Sequence, residues 1–134
     1  MLLTKASEYA LLSMIMIAQK DSPQDVDTLS TQLGISKSFL AKILQNLAKE
    51  GILKSFKGAH GGFMLAPDSK NISIRRILES AEKRSASVFE CASSPENCPN
   101  SRAEFCKIWP FFNKLQTKID TFLDSMTLND IIQQ

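Results

Sequence analysis

The clearest pattern in the chain is the spacing of apolar and polar positions between residues 36 and 50. Apolar residues recur at i, i+3, i+4 and i+7, which predicts one buried helix face: Leu40, Ile43, Leu44 and Leu47. The opposite side is polar: Ser38, Lys42, Gln45 and Lys49. Ser36 is a suitable N-cap and Gly51 a suitable stop, so the pattern predicts an amphipathic helix with both of its ends defined.

The pattern changes after this helix. Two short strand-compatible runs, residues 52–57 and 63–65, are separated by a glycine-containing loop that is typical of a hairpin tip. Before the helix, Asp27 is expected to cap a short helix over residues 28–33, and Gly34 follows as a turn. A short helix, a turn, a longer amphipathic helix and a hairpin predict a winged helix-turn-helix.

Helical patterns also flank this unit. Thr4 is expected to cap a first helix that runs to about Lys20, and Ser73 a helix through about Glu82. After residue 108 apolar residues follow a heptad spacing, which predicts a dimerisation helix: Ile108, Phe112, Leu115, Ile119, Phe122 and Met126. Packing on the chain's own domain is the alternative for this helix, and Thr127 is expected to cap a last short one. The predicted fold is mainly α with a small β-hairpin wing and a long C-terminal dimerisation helix.

Domain boundaries follow from where the periodicity stops. We predict a DNA-binding part over residues 1–82, a cysteine-containing loop over 83–107 and the dimerisation helix with a short terminal helix over 108–134. A chain of 134 residues that is 43% hydrophobic is sufficient for one ordinary globular core. The apolar run over residues 10–18 is too short to span a bilayer, which needs about 20 residues, so no membrane partner is expected.

Charge points to a partner for the predicted helix-turn-helix. The net charge of the whole chain is only +2, but residues 36–60 hold five lysines and one acid, a local charge of +4. Because this concentration lies on the predicted helix and hairpin, it favours double-stranded DNA as the partner. The alternative interpretation is a pair of packed core helices with a solvated face.

Candidate DNA contacts follow from chemistry. The opening turns of the helix carry hydroxyls, ammonium groups and a ring that suit phosphates, base edges or a thymine methyl: Ser36, Lys37, Ser38, Phe39 and Lys42. In the hairpin the candidates are Lys54, Lys57, Gly58, His60 and Gly61, since a glycine-rich tip lets the backbone approach the minor groove. Phe39 is also compatible with a core position, and His60 with a solvated turn.

Three cysteines form the second chemical feature. Cys91, Cys98 and Cys106 lie within sixteen residues in a loop rich in Ser, Pro and Asn. Thiolates at this spacing suit an iron-sulfur cluster, a zinc ion, or thiols that sense oxidants or form disulfides. An odd number of cysteines is unlike a secreted disulfide framework and favours a reducing cytoplasm.

These motifs resemble the Rrf2 family of bacterial winged-helix regulators. The resemblance covers the opening Met-x-Leu-Thr, GISKSFLAKIL, the KGAHGG tip, the three cysteines, the long helix and the closing MTLNDII. It implies a homodimeric transcription factor, usually a repressor, whose cysteines bind an iron-sulfur cluster in many members. The family's DNA contacts then fall on Ser38, Phe39, Lys42 and Lys57. Lys57 stands where members often carry arginine, which fits a narrow minor groove better.

The resemblance also implies a fourth cluster ligand. IscR-like members have a histidine three residues after the third cysteine, where this chain has Trp109. NsrR-like members use an acid from the first helix of the other subunit, and Glu8 stands at that position. The implied cofactor is therefore a 4Fe-4S or 2Fe-2S cluster held by Cys91, Cys98, Cys106 and Glu8 of the partner subunit. The alternative for Glu8 is an ordinary first-turn acid favoured by the helix dipole.

Two other classes remain open. A CymR-like member would act without a cluster, through thiols or zinc and a partner protein. An enzyme with a reactive cysteine has little support, because the only histidine lies at the predicted wing tip and no orienting carboxylate is recognisable.

Overall fold

The structure, a computed structural model, describes residues 3–134, so the first two residues of the opening motif lie outside it. Within this range, six α-helices and one antiparallel hairpin follow in order: α1 Lys5–Ala18, α2 Val26–Leu33, α3 Lys37–Lys49, β1 Leu53–Phe56, β2 Gly62–Leu65, α4 Ile74–Glu82, α5 Trp109–Ser125 and α6 Leu128–Ile132. The winged helix-turn-helix and the long C-terminal helix are therefore confirmed as the fold.

Helix starts follow the cap residues. The side chains of Thr4, Ser36 and Ser73 each accept a backbone N–H at the start of their helix, as predicted. The prediction for α2 is wrong by two residues, because Asp25 and not Asp27 caps it. Asp25 accepts both the backbone N–H and the hydroxyl of Thr28, at 2.8 and 2.7 Å, and the backbone bond is the main reason why its pKa is lowered.

The core lies between α1, α3 and α4. The apolar stripe predicted for α3 is buried, and it packs with Ala10, Met14 and Ile17 of α1 and with Ile77 and Leu78 of α4. Leu29 of α2 and Ile52 extend the same core. The polar side of α3 is thereby left outside, which is the orientation that a nucleic-acid-reading helix requires.

The hairpin is fixed to the helix-turn-helix by its second strand. Leu53 pairs with Leu65 and Phe56 with Gly62 in an antiparallel register. Phe63 also forms a bridge with Gln24, with two backbone hydrogen bonds of 2.9 Å. This bridge ties the wing to the chain segment just before α2.

Helix α4 contacts both α3 and the long helix α5. Arg75 forms ion pairs with Glu79 and, across to α5, with Asp120 and Asp124, and the hydrogen bond to Asp124 chiefly raises its pKa. The neighbouring Arg76 donates to the carbonyl oxygen of Glu50, the C-cap of α3, at 2.8 Å. Two adjacent arginines thus hold α4 to both α3 and α5.

The predicted heptad seam on α5 is divided between two environments. Ile119 and Met126 pack against the core, whereas Ile108 and Phe122 are exposed. Phe111, which the seam did not include, is also exposed. A capping box of Thr127 and Asp130 starts α6, and Leu128 of this helix is buried in the core. None of the helices in residues 3–134 has the length and apolar character needed to cross a membrane.

Candidate nucleic-acid interface and cysteine loop

The first turns of α3 present the predicted DNA contacts to solvent. Ser36, Lys37, Ser38 and Lys42 are all exposed. The Ser36 hydroxyl accepts the Phe39 N–H at 3.3 Å and lies 3.0 Å from the Ser38 hydroxyl, so Ser36 serves first as the helix cap. Lys37 is held by Asp27 of α2 at 2.8 Å. Lys42 has no ion pair among the described residues, and its ammonium group is available to an external anion.

Phe39 lies at the edge of this surface. Its ring is 39% exposed and meets the ring of Tyr9 edge to face, with the centroids 5.8 Å apart. The Lys5 ammonium lies 5.8 Å above the same Tyr9 ring. Phe39 is therefore neither a core residue nor a free one, because α1 fixes one edge and leaves the rest of the ring accessible.

The wing carries the other predicted contacts. Lys54, Lys57, Gly58 and His60 are exposed, and Gly61 is half-buried. The structure shows a local reason for glycine at position 61, since a Cβ there would lie 2.2 Å from the carbonyl oxygen of Phe56. Gly58 has φ of +104° and an open surrounding, so it supplies the turn conformation and leaves its backbone accessible.

The cysteine loop is anchored to α5 at its first cysteine. All three cysteines are free thiols: Cys91 is buried, whereas Cys98 and Cys106 are half-buried. The indole N–H of Trp109 donates to the Cys91 carbonyl oxygen at 2.7 Å, and the Asn113 amide donates to that of Ala92 at 3.1 Å. Trp109 thus has a structural role at the position where IscR-like members have a ligand.

Cys98 has a distinct electrostatic environment. The backbone N–H of Arg102 donates to its sulfur at 3.4 Å, and this bond is the main reason why the pKa of the Cys98 thiol is lowered. A lowered pKa increases the thiolate fraction, which is the form that binds metals and reacts with electrophiles.

The cysteine thiols and the Glu8 carboxylate are suitable ligands for an iron-sulfur cluster, but the structure does not bring them together into a metal site. Within residues 3–134, no three side chains of His, Cys, Asp or Glu are close enough together to hold a metal ion. Glu8 lies on α1, exposed, and accepts a hydrogen bond from Lys5 at 2.8 Å that raises the pKa of Lys5. Cys91, Cys98, Cys106 and Glu8 therefore stay predicted ligands, and bringing the thiols together requires the loop to close.

Several residues that shape the site were not predicted from the sequence. Tyr9 orients Phe39, Arg76 holds the end of α3, and the buried Gln116 bonds the backbone of Ala86 and Val88 on the way into the cysteine loop. Each acts between elements that are distant in sequence. The spacing of residues within one helix or strand cannot predict such contacts.

Comparisons with known proteins agree with this geometry. A sequence model of the Rrf2 family, described as "Iron-dependent Transcriptional regulator", matches residues 3–134. The chain is 27% identical to the HTH-type transcriptional regulator IscR of Yersinia enterocolitica over 134 residues, which cover 98% of this chain and 79% of that relative.

Solved structures share the fold. The IscR structure of T. potens has a TM-score of 0.75 at 23% identity and covers 98% of this chain and 85% of its own. The structure of CymR, "the Global Cysteine Regulator of B. subtilis", has a TM-score of 0.73 at 24% identity, with 98% and 95% covered. Because both identities are below 25%, these likenesses support the fold alone.

Proposed function

Because the chain belongs to the Rrf2 family of transcriptional regulators, and so is a regulator and not an enzyme, we propose that it binds double-stranded operator DNA as a homodimer and represses transcription. The observation that carries this proposal is the exposed polar face at the start of α3, with an unpaired Lys42 next to a wing that exposes Lys54 and Lys57. A regulator that acts on bacterial operators works in the cytoplasm.

The proposed roles divide between positioning and reading. Ser38, Phe39 and Lys42 lie on the opening turns of α3, where a recognition helix meets base edges in the major groove. We assign Lys54, Lys57 and His60 to phosphates, together with Lys37 once it leaves Asp27, and the backbone at Gly58 and Gly61 to the minor groove. Because lysine is a point charge, Lys57 contributes affinity more than sequence discrimination.

The homodimer is proposed from the exposed side of α5. Phe111 and Phe122 of α5 and Ile108, its N-cap, are large apolar side chains that are 62%, 59% and 58% exposed. An apolar surface of this kind on a long helix is typical of an interface between two copies. Two copies related by a two-fold axis would present two α3 helices to the two halves of a palindromic operator.

We further propose that Cys91, Cys98 and Cys106, with Glu8 of the partner subunit, hold an iron-sulfur cluster. The cluster would supply reactivity toward nitric oxide or oxygen and sensitivity to iron supply, since a carboxylate ligand is more exchangeable than a thiolate. Three free thiols in a loop whose only regular elements are two single-turn 3-10 helices support this proposal. The chain's own contribution is to anchor Cys91 on α5 through Trp109.

A regulator that acts through thiols or zinc, without an iron-sulfur cluster, is the second candidate. The lowered pKa of the half-buried Cys98 thiol supports it, because the thiolate is the form that reacts with oxidants and binds zinc. An ultraviolet-visible spectrum with iron and sulfide analysis, recorded without air, distinguishes the two. Brown protein with iron and sulfide supports the cluster, and Glu8→Ala should then weaken cluster retention with the fold intact. Colourless protein without either element supports the second candidate.

DNA binding is tested by fluorescence anisotropy on promoter fragments from the host genome, in reduced, oxidised and metal-loaded protein. Lys42→Ala should reduce affinity by an amount that depends on the base sequence. Lys57→Ala should weaken binding to all fragments and lower the slope of log K against log salt by about one. Lys70→Ala, an exposed lysine away from this surface, is the matched control. Binding that is unchanged in both variants contradicts the assignment.

A further inference from the structure

A charged groove lies between the C-terminal halves of α3 and α4, away from the reading turns of α3. Its volume is about 570 Å³, within the range of small-molecule sites. Four cations line it: Lys49 from α3, Arg76 from α4, and Lys83 and Arg84 from the residues that follow α4. No part of the proposed DNA or cysteine chemistry uses these four residues.

The charge balance of the groove is positive. Four cations face two carboxylates, Glu50 and Glu79, for a difference of +2. The C-terminal ends of α3 and α4 together add roughly −1, at about half a charge for each helix. Glu79 is also neutralised from outside the groove, because Arg75 and the Ala86 N–H both bond its carboxylate. Arg84 lies 3.7 Å from the carboxylate of Glu82, which partly neutralises it. Against Glu50 and the two helix ends, the other three cations still leave a surplus of about one positive charge.

Asn46 adds a second, independent observation. Its side chain is only 7% exposed and lines the groove. Because Asn46 is not among the described residues with a buried, unpartnered polar atom, its amide is open to the solvent of the groove. A mostly buried side chain with an accessible amide gives the inner wall of the cationic groove a fixed polar group that a ligand can reach. An amide N–H pair is a suitable donor to a phosphate or carboxylate oxygen.

We propose that this groove binds a small molecule with at least two negative charges, carried by phosphate or carboxylate groups. Arg76 and Arg84 supply planar donors for such oxygens, Lys49 and Lys83 supply charge, and the Asn46 amide orients the ligand from the inner wall. A small anion fits the groove better than a DNA strand, since Asn46 is at its buried side.

The site has a direct connection to the recognition helix, and this part of the inference rests on the proposed function. Arg76 already donates to the carbonyl oxygen of Glu50, which ends α3. A bound anion competes with that carbonyl oxygen for the guanidinium. Occupancy is thereby coupled to the last turn of α3 and to the Gly51 turn that leads into the wing.

Titration of the full-length, ¹⁵N-labelled protein without DNA tests the binding step, whatever the outcome of the operator experiments. The probes are inorganic phosphate and citrate at constant ionic strength, with chloride as the reference. We expect saturable shifts of the Asn46 side-chain amide and of the backbone amides of Glu50 and Gly51, with a Kd of about 1 mM or tighter. The probe that binds more tightly identifies phosphate or carboxylate as the preferred group.

The variant pair is matched in charge. Lys83→Gln with Arg84→Gln should weaken binding about tenfold or more, whereas Lys20→Gln with Lys70→Gln, which removes two exposed cations elsewhere, should leave it unchanged. Asn46→Asp keeps the volume and places a negative charge at the wall, so it should abolish binding in a folded protein.

Two results overturn the proposal. The first is shifts that never saturate, or that are equal in both double variants. The second is a loss of operator affinity and of salt slope in Lys83→Gln with Arg84→Gln while neither probe binds, which would assign these cations to the DNA backbone. Failure of operator binding alone leaves the anion site supported and removes only its coupling to DNA.

Discussion

Tyr9 is the residue whose effect on DNA reading is easiest to isolate, because it contacts Phe39 edge to face. Such aromatic pairs contribute about 0.5 to 1.5 kcal/mol beyond the area that they bury. Tyr9→Ala should therefore lower both the free energy of unfolding and the operator affinity, through loss of the orientation of Phe39. Tyr9→Phe keeps the ring and should keep both. The measurements are urea unfolding and operator anisotropy.

A double-mutant cycle with Phe39→Ala checks that the effect is mutual. The coupling free energy should be about 0.5 to 1.5 kcal/mol in unfolding. Additive single effects would show that the two rings do not support each other. Full operator affinity in Tyr9→Ala would show that α1 does not orient the reading face.

Asp25 should make folding stability depend on pH at the acid end. Its folded pKa lies below the ordinary value, so the stability that it contributes is complete above the unfolded pKa of about 3.9 and is lost as pH falls below it. Asn caps helices about as well and does not titrate. The difference in unfolding free energy between the wild type and Asp25→Asn should therefore shrink as the pH is lowered from about 5 to 3.

Urea titrations at a series of pH values give this difference directly. Asp21→Asn is the control, because Asp21 is exposed and caps no helix, and its curve should run parallel to that of the wild type. A parallel curve for Asp25→Asn as well would contradict the role of Asp25 as the cap of α2.

At the scale of the element, the wing depends on two glycines for different reasons. Gly61→Ala places a Cβ 2.2 Å from the Phe56 carbonyl oxygen, so the hairpin must open. Gly58→Ala meets no atom within 4 Å, and only its φ of +104° is unfavourable. We expect Gly61→Ala to lose amide-exchange protection across β1 and β2, and Gly58→Ala to keep most of it. Equal protection in the two variants would show that the contact at Gly61 relaxes without cost.

The elements that could be predicted from the sequence are those whose cause is local. α3 has a periodic apolar stripe and a cap residue, and the hairpin has a glycine at each end of its tip. The start of α2 could not be predicted as securely, because Asp25 and Asp27 are both chemically able to cap. Only the position of Thr28 relative to Asp25 in the folded chain decides between them.

The candidate site also contains residues whose placement could be predicted from the sequence and residues whose placement could not. The exposed lysines of α3 and the wing could be predicted, since charge that a core cannot hold must face outward. The placement of Cys91 could not, because Trp109 and Asn113 anchor that part of the loop through backbone oxygens, which no side-chain pattern reports. The heptad spacing of α5 marked apolar positions but not what covers each one, so Ile119 and Phe122 share a pattern and differ in environment.

At the scale of the whole molecule, α4 is the helix that links α3 to α5. Arg75 holds α5 and Arg76 holds the end of α3, so one short helix contacts both of them through adjacent side chains. If α5 forms the contact between two copies, as proposed, the same pair of arginines sets the spacing of the two reading helices. If the cysteine loop closes around a cluster, as proposed, its anchors on α5 place that change on the same helix that Arg75 holds.

The exposed apolar side of α5 gives the prediction on which this arrangement depends. Phe122→Glu places a charge where the proposed dimer buries a ring, and an unpaired charge in an apolar interface is strongly unfavourable. Sedimentation velocity should show a monomer for this variant. Thr117→Glu adds the same charge on another side of the helix and should remain a dimer.

The effect of Phe122→Glu on DNA binding distinguishes dimer formation from the contact that each subunit makes with DNA. The monomeric Phe122→Glu protein should lose most of its affinity for a palindromic operator, because the second half-site contact is no longer intramolecular. Its affinity for an isolated half-site should equal that of the wild type, since α3 and the wing are unchanged. A Phe122→Glu protein that stays dimeric would place the contact between copies on another surface, and the spacing role of α4 would then have to be sought there.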